Sequence, residues 1–367
     1  MIKKRLKAVI IGGGIHGITS SLALAEKGID VTVIEKRPGV LEGTSGSTHN
    51  RAHLGYHYPR STETAIECLR GLEFFKKKYP HALFYPPEAY YFIEKERSKT
   101  SSEEFKKFCD KIGIPYKAQL PENRFINPNS VEGSFMVSEP VFDIKTLRDS
   151  LRKECFKMGI AIKNNSELVG YEKIAPKHKL IVKEKGIEKS YEADLIINSS
   201  YAHTNNILRI LELEKDIIPY KLQTTEVAIT RSPETIPAMT IMDGEFISLM
   251  PLANSANKNV ILVYDVVYSV VNEKVGYYFD DSQIYTSNFG KMVEHGERYF
   301  PFMKKLEYID SLWGSRPIPL NNETDSRKTK IISHKDAPGI YSILEGKFIS
   351  APLIAERLAN KIIEEYQ

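Results

Sequence analysis

The chain has 367 residues, of which 42% are hydrophobic and 27% are charged. This is the composition of an ordinary globular protein, and the length favours two domains or one large α/β unit with insertions. No run of about 18 uncharged apolar residues occurs that could span a bilayer. We therefore expect no transmembrane segment, and the sequence leaves a peripheral contact with a membrane open.

The charge and cysteine patterns argue against several kinds of partner. The net charge is +4, and the basic residues are scattered except for runs at residues 3–7 and 76–78. No aromatic residues are interleaved with these runs, so no basic stripe for nucleic-acid binding is predicted. Cys68, Cys109 and Cys155 lie far apart and form no CxxC pair, which argues against a disulfide framework and against a metal site. The apolar stretch after Ala8 is too short for a secretory signal and leads into glycines. These features are typical of a cytoplasmic protein without a bound metal.

The first predicted elements are a strand, a helix and a second strand. The apolar run AVII at residues 8–11 is followed at once by GGGIHG at residues 12–17. Apolar residues at helical spacing continue to Lys27, and DVTVI at residues 30–34 has the pattern of a buried strand that ends before Glu35. The glycines therefore have GxGxxG spacing within a βαβ unit, which is the context in which this motif binds a dinucleotide.

Each part of this motif has a physical role. Gly12 permits a tight turn, Gly14 lets the backbone approach a pyrophosphate, and Gly17 lets the helix pack closely on the strand. The helix N-terminus presents free N–H groups and the positive end of its dipole to an anion. Glu35, at the tip of the second strand, can accept hydrogen bonds from both ribose hydroxyls and would repel a 2′-phosphate. The motif predicts FAD or NAD(H) as the ligand, rather than NADP(H).

The next segment carries a family resemblance. The run TSGSTHNRAHLGYHY at residues 44–58 resembles the second flavin segment of the D-amino-acid oxidase-like flavoproteins, a superfamily that includes glycine oxidase, glycerol-3-phosphate dehydrogenase and L-2-hydroxyglutarate oxidase. The stretch from Ala52-His53 to CLRG at residues 68–71 is most similar to the 2-hydroxyglutarate branch, which has an IHAGIYY run before a helix with LCxxG. The resemblance implies FAD, bound without a covalent link.

Further segments extend this resemblance. VSEPVFD at residues 137–143 and SELV at residues 166–169 are similar to the family's return into the nucleotide domain, in which Leu168 would meet adenine through its backbone. LWGSRP at residues 312–317 resembles the GxRP element, and Gly346-Lys347 resembles the end of a GGK segment. Two departures stand out. Asn198-Ser199-Ser200-Tyr201 replaces the usual NAxG, and Glu345 replaces the first glycine of GGK.

The end of the chain has the pattern of a helix. Ser350 is a suitable N-cap, and residues 351–365 have apolar side chains at helical spacing. By the resemblance, the N–H groups of this helix would face the flavin pyrimidine carbonyl and stabilise negative charge there. Together with the motifs above, the match implies a set of cofactor-binding residues: Gly12, Gly14, Ile15, His16, Gly17, Glu35, Lys36, Ser45, Ser47, Thr48, Leu168, Ser199, Gly314, Gly346, Lys347, Phe348 and Ile349.

The matched segments predict how the chain is divided. The fold class we expect is α/β, with a Rossmann-like FAD-binding domain and an interleaved, mainly antiparallel β-sheet substrate domain. The FAD-binding domain is expected at residues 1–75, 136–218 and 306–367, and the substrate domain at residues 76–135 and 219–305. Strand-like runs rich in aromatic and β-branched residues support the second sheet, at residues 89–93, 222–230, 245–250 and 260–267.

The chemistry of such enzymes requires that a substrate be oriented for transfer of a hydride to flavin N5. Arg316, in the GxRP element, is the leading substrate residue because a guanidinium binds a carboxylate through two parallel hydrogen bonds. Arg51 and Lys347 are weaker candidates for an anion contact. The second sheet offers further candidates, for each of which plain packing is the more expected role: Tyr90, Tyr220, Phe246, Ser248 and Tyr264.

A hydroxyl substrate loses a proton as the hydride departs, and a neutral histidine can accept it. His53 is the preferred base because it matches the histidine of the IHAG run, and His57 is the reserve. His49 is expected to contact the flavin ring. The sequence thus predicts an FAD-dependent oxidase or dehydrogenase of a small carboxylate-bearing substrate, with a 2-hydroxy acid favoured. Oxidation of an amino acid or another amine, and flavin binding without turnover, remain alternatives. The electron acceptor is open among oxygen, a quinone and a protein.

Overall fold

The computed structural model describes residues 5–253, 259–280, 283–320, 329–344 and 346–366. Within them, the helices are α1 (Ile15–Glu26), α2 (Thr62–Lys78), α3 (Ser102–Ile112), α4 (Ile144–Lys157), α5 (Thr204–Ile210), α6 (Phe289–Gly296) and α7 (Ala351–Tyr366). The strands are β1 (Lys7–Ile11), β2 (Asp30–Ile34), β3 (Leu83–Phe84), β4 (Ala89–Glu94), β5 (Tyr116–Ala118), β6 (Val131–Val137), β7 (Val141–Phe142), β8 (Ala161–Lys163), β9 (Ser166–Ile174), β10 (Lys177–Glu184), β11 (Ile187–Ala193), β12 (Leu195–Asn198), β13 (Tyr220–Arg231), β14 (Ala238–Met242), β15 (Ile247–Pro251), β16 (Val260–Asp265), β17 (Val270–Gly276), β18 (Glu307–Pro319), β19 (Lys330–Ser333) and β20 (Ile340–Leu344).

The first sheet is mainly parallel and has the strand order β19-β20-β12-β1-β2-β8. β1 lies between β2 and β12, in register from Ala8 opposite Val31 and Leu195. The central strands are largely apolar because both faces of the sheet are covered, one by α1, α4 and α7 and the other by α5 and the strands β9, β10 and β11. α7 packs on α1, where Ile354 and Leu358 share a core with Ile18. The predicted βαβ unit and terminal helix are therefore both present.

The second sheet has the order β17-β13-β16-β15-β14-β4-β6-β5, with β18 also paired to β13. Its pairs are antiparallel except for β14 with β4. This confirms the α/β fold class with a mainly antiparallel second sheet. The expected boundary at residue 306 groups β18 with the nucleotide domain, whereas the strand with which it pairs is β13 of the second sheet. A 13-residue strand preceded by a turn gives no local signal of which sheet it joins.

Two smaller sheets complete the described chain. β9, β10 and β11 form an antiparallel meander, and β3 pairs with β7. The meander covers one face of the first sheet, with Leu180 and Val182 in a core shared with Val9 and Ile196. No helix in the described ranges has both the length and the apolar character needed to cross a bilayer.

The turn between β1 and α1 requires glycine at two positions. Gly12 has φ +104°, and a Cβ there would lie 2.7 Å from the carbonyl oxygen of Ser199. At Gly17 a Cβ would lie 1.9 Å from the carbonyl oxygen of Gly12. These contacts bring the N-terminus of α1 against the carboxyl ends of β1 and β12, which is where ligands bind in doubly wound sheets.

Gly17→Ala should force α1 away from the strand and destabilise the chain by about 1–3 kcal/mol, the usual cost of overpacking. Urea denaturation of the purified variant measures this loss. Gly290→Ala is the matched control, because a Cβ at Gly290 in α6 meets no atom within 4 Å. The control should be neutral or slightly stabilising, and equal stability for the two variants would contradict the packing argument.

Candidate functional site

A cavity of about 400 Å³ opens at the carboxyl ends of β1, β2 and β12. Its lining comes from the glycine turn, the loop at residues 43–48, the end of β2, the start of β9 and the segment after β12. The predicted cofactor residues that line it are Gly12, Gly14, Ile15, His16, Glu35, Lys36, Ser45, Thr48, Leu168, Ser199, Gly346 and Phe348. The cavity therefore brings together residues from both ends and the middle of the chain.

Other predicted cofactor residues support this cavity without lining it: Gly17, Ser47, Gly314, Lys347 and Ile349. Gly17 and Ile349 pack inside the fold, and Ile349 is 1% exposed. Gly314 lies against the loop, since a Cβ there would be 3.1 Å from the carbonyl oxygen of Ser47. Glu345, which replaces the first glycine of the GGK segment, lies outside the described residues.

The N-terminus of α1 faces the loop at residues 43–48. Ile15 N–H donates to Ser45 Oγ at 3.0 Å, and no side chain caps the helix at Gly14. A Cβ at Gly14 would lie 3.2 Å from Ser45 Oγ, so a side chain there would enter the space between the loop and the helix. The remaining N–H groups of the first turn provide the donors and dipole that stabilise a pyrophosphate.

The carboxylate of Glu35 is fixed at the tip of β2. Oε2 accepts the Gly13 N–H at 2.6 Å, and Oε1 accepts the Arg37 N–H at 2.7 Å. The residue is 9% exposed and lines the cavity. This is the position at which a carboxylate can meet the hydroxyls of an adenosine ribose.

The segment after β12 supplies lining residues that sequence reasoning missed: Tyr201, Ala202, His203, Asn206, Ile207, Arg209 and Ile210. Tyr201 occupies the glycine position of the NAxG pattern and has φ +54°. The backbone therefore keeps the left-handed conformation that glycine would favour, although the side chain differs. The altered NAxG pattern was the available signal that this segment belongs to the site.

Ser199 has a structural hydrogen-bonding role beside the turn. Its hydroxyl donates to the carbonyl oxygens of Ile11 and Gly12, both at 3.1 Å. These are the carbonyls at which β1 ends, so the hydroxyl ties β12 to the glycine turn. A serine in place of the family's alanine adds this link.

Arg316, Tyr264 and His49 form a cluster beyond the other end of the cavity. The Arg316 guanidinium is half-buried and donates from Nη1 to the Tyr264 hydroxyl at 2.9 Å and from Nε to Gln223 Oε1 at 2.7 Å. The His49 ring stacks on Tyr264 with a centroid separation of 5.0 Å. Ser315, next to Arg316, lines the cavity. Two of the predicted substrate residues, Arg316 and Tyr264, are therefore in direct contact.

The predicted bases, His53 and His57, form a second cluster, on the same loop as His49. The rings of His53 and His57 are 5.3 Å apart, and the His57 ring contacts Phe246 edge-on at 4.8 Å. Lys347 Nζ lies 4.5 Å from the centre of the Tyr58 ring. The two imidazoles thus lie beside the Tyr58 ring, which is also in contact with the Lys347 cation from the other end of the chain.

Burial keeps the site histidines neutral. It lowers the pKa of His49 to about 3, with the charges of Arg51 and Arg316 acting in the same direction. Burial also lowers the pKa of His53 well below its usual range, and electrostatic repulsion from His57 is the second largest cause of this shift. Burial lowers the pKa of His16 to about 4, although a hydrogen bond with the backbone of Lys347 acts in the opposite direction. No hydrogen-bond partner for Nδ1 of His49 or His53 is found in the described part of the chain.

The other candidate substrate residues lie outside these two clusters. Arg51 is 4% exposed and its Nη atoms bind Glu139, Tyr91, Thr240 and Met250. Ser248 is fully buried on the sheet face that carries Tyr264, in direct register with it. Tyr90 packs in the core on the opposite face from Tyr91, and Tyr220 packs with Leu222 and Phe279.

The neutral histidines make the stability of the cofactor-free chain depend on pH. Burial lowers the pKa of His16 to about 4 and the pKa of His49 to about 3, from an ordinary value of 6.5. The unfolded state therefore binds more protons than the folded state as the pH falls from 6.5 toward these values. The stabilisation is complete above pH 6.5 and is lost as the pH falls toward 4. Urea denaturation across this range should show the loss, and His49→Asn should reduce its slope. An unchanged slope in the variant would contradict neutral burial of His49.

The residues present fit a flavin dinucleotide. The glycine turn leaves a cradle that a Cβ would fill, and the Glu35 carboxylate at the tip of β2 lines the cavity where it can accept hydrogen bonds from ribose hydroxyls. At the other end, buried imidazole nitrogens of His49 and His53 have no protein partner within the described residues. Polar atoms of this kind are ordinarily paired when buried, so the arrangement favours a polar ligand beside them.

Comparison with known proteins agrees with this geometry. The family model for FAD-dependent oxidoreductases called DAO matches residues 7–361. The FAD-dependent monooxygenase kojA of Aspergillus flavus is 25% identical over 388 residues, which cover 98% of this chain and 86% of that protein. The anaerobic glycerol-3-phosphate dehydrogenase subunit A1 of Haloferax volcanii is 23% identical and is matched over 99% of this chain and 64% of its own length.

Solved structures share the fold. Glycine oxidase from Geobacillus kaustophilus superposes with a TM-score of 0.75 at 16% identity, covering 99% of this chain and 95% of that one. Since the family model spans nearly the whole chain, the sequence, the cavity and the fold lead to one conclusion: this chain belongs to the DAO family of FAD-dependent oxidoreductases.

Proposed function

We propose that the chain oxidises a small carboxylate-bearing substrate, with a 2-hydroxy acid favoured, by passing a hydride to FAD. The observation that supports this most is the placement of Arg316. Its guanidinium is half-buried, is oriented by Tyr264 and Gln223, and lies next to a residue that lines the dinucleotide cavity. A cation so placed is suited to hold a carboxylate.

The hydrogen bonds of Arg316 set its orientation. Nε and Nη1 are engaged by Gln223 and Tyr264, and no described residue accepts from Nη2. Nη2 can therefore donate to a substrate carboxylate, and the Tyr264 hydroxyl can donate its own proton to the second oxygen. Charge-assisted hydrogen bonds of this kind contribute about 1.5–3 kcal/mol each.

His53 supplies the proton acceptor in this proposal. The ring is neutral at physiological pH because burial lowers its pKa well below 6.5, and its Nδ1 has no partner among the described residues. A neutral imidazole can take the proton of a substrate hydroxyl. His57, whose ring lies 5.3 Å away, is the reserve base. FAD, when bound, supplies the acceptor for the hydride.

The proposed cofactor contacts divide along the cavity. Gly14, Ile15 and Ser45 would meet the pyrophosphate, and Glu35 would meet the ribose. Leu168 would meet adenine through its backbone. Gly346 and Phe348 would lie at the ring end, next to the start of α7. The helix dipole there would stabilise negative charge by on the order of 1 kcal/mol.

The choice of a hydroxy acid rests on the resemblance of residues 52–71 to the 2-hydroxyglutarate oxidase branch. An amine substrate remains the alternative, because an amine that is already deprotonated can be oxidised without His53. The names of the matched relatives include a monooxygenase and a glycerol-3-phosphate dehydrogenase, so they do not choose between these classes. Cytoplasmic location is part of the proposal, and no electron acceptor is assigned.

Anaerobic bleaching of the flavin by candidate substrates tests this function. Arg316→Met should weaken the binding of carboxylate substrates by about tenfold to a hundredfold, and Arg316→Lys should recover part of the loss. Arg231→Met is the matched control, because Arg231 forms an exposed ion pair with Glu307 on the same two strands. His53→Ala should slow reduction by a 2-hydroxy acid by about 10²–10⁴-fold and leave reduction by an amine nearly unchanged.

Two outcomes would contradict the proposal. Reduction by hydroxy acids that survives unimpaired in His53→Ala would remove His53 as the base. A yellow protein that no hydroxy acid or amine bleaches would favour flavin binding without turnover.

A further inference from the structure

The loop that carries the site histidines is attached to the chain around β7 by backbone hydrogen bonds. Phe142 N–H donates to the Asn50 carbonyl at 2.6 Å, and Ala52 N–H donates to the Pro140 carbonyl at 3.0 Å. Asn50 is 3% exposed and has φ +57°. The backbone is therefore held tightly up to residue 52, immediately before His53.

Arg51 ties the same loop to the second sheet. Nη1 donates to Glu139 Oε2 at 3.0 Å and to the Tyr91 hydroxyl, and Nη2 donates to the Thr240 hydroxyl. Tyr91 and Thr240 stand opposite each other on β4 and β14. The guanidinium therefore contacts two strands of the sheet and the segment before β7 at once.

Glu139 holds the loop at two points. While Oε2 binds Arg51 and accepts the Tyr91 hydroxyl at 2.6 Å, Oε1 accepts the Leu54 N–H at 2.9 Å. Arg51 and Leu54 flank His53 in the chain. One carboxylate, itself 2% exposed, thus fixes both sides of that histidine.

Burial makes this ion pair an inefficient source of stability. Removing two charges from water is costly, and replacing such a pair by apolar side chains of similar volume is often neutral or stabilising. The geometry around His53 gives the pair a different use. We propose that Arg51 and Glu139 form a positioning pair, which fixes residues 50–54 and thereby sets the orientation of the His53 imidazole.

This inference rests on the proposed function only where it gives His53 the role of the base. The order of the loop itself can be measured without any substrate. Hydrogen exchange of the Leu54 amide reports directly on the Glu139 contact, and exchange of the Ala52 amide reports on the neighbouring backbone bond.

The test uses Arg51→Met/Glu139→Met, which removes both charges and keeps the side-chain volumes close. In the cofactor-free protein, exchange of the Leu54 amide should rise by about tenfold or more, as expected for loss of a hydrogen bond to a charged group. In the FAD-loaded protein, reduction by the best wild-type substrate should slow by a similar factor through kcat, with FAD stoichiometry unchanged.

Arg298→Met/Glu94→Met is the matched control. Glu94 is 4% exposed on the same strand as Tyr91, accepts a backbone N–H of Glu96 at 2.8 Å and pairs with Arg298 at 3.6 Å. The control double variant should leave both the exchange rate of the Leu54 amide and the rate of flavin reduction at wild-type values. A difference in Tm of less than about 4 °C between the two double variants would show that general stability does not explain the result.

If the double variant does not fold, Arg51→Lys and Tyr91→Phe replace it. Arg51→Lys keeps the charge but loses the fork that reaches Thr240, and Tyr91→Phe removes one hydroxyl from the network. Each should raise Leu54 exchange in the cofactor-free protein. Wild-type exchange at Leu54 in every folded variant would overturn the positioning pair. Failure of all substrates to bleach the wild-type flavin would instead overturn the proposed function.

Discussion

The close approach of three backbone segments at the β1–α1 turn is the constraint on which the rest of the structure depends. Gly12, Gly17 and Ser199 come so near one another that a Cβ at either glycine would overlap a carbonyl oxygen. This proximity places the N-terminus of α1 and the ends of β1 and β12 around one cavity. The Glu35 carboxylate, fixed at the tip of β2 by two backbone N–H groups, then stands at one end of it.

The other end of the site depends on contacts between the two sheets. The loop at residues 43–58 leaves the first sheet and reaches the second, where Thr44 exchanges hydrogen bonds with the backbone of Ser315. Arg51 is buried among side chains of β4, β14 and β15. His49 lies between these anchors, and burial of its ring, together with the charges of Arg51 and Arg316, lowers its pKa and keeps it neutral. The contacts of this loop with the second sheet thus determine the charge, the burial and the orientation of its side chains.

Local patterns in the sequence were sufficient to predict the strands, the glycine turn and the helices that surround the cavity. The glycine spacing, the acid at Glu35 and the terminal helix are short-range signals, and each was found where expected. Long-range pairing was not readable in the same way. Nothing local to β18 indicates that it joins β13, and nothing local to Arg51 shows that its guanidinium is enclosed by Tyr91, Thr240 and Glu139. The segment after β12 was missed because its lining residues share no motif beyond the altered NAxG.

Titration of the cofactor-free chain with FAD is the most direct measurement of the account, since every proposed role depends on a dinucleotide in this cavity. The account predicts one FAD per chain, quenched flavin fluorescence, and binding that weakens by about tenfold or more in Glu35→Gln as the charged acceptor of the ribose hydroxyls is lost. Glu167→Gln, which alters another carboxylate of the same cavity, should bind FAD nearly as well as the wild-type chain. A folded wild-type chain that takes up no FAD, or equal affinities for the two variants, would contradict it.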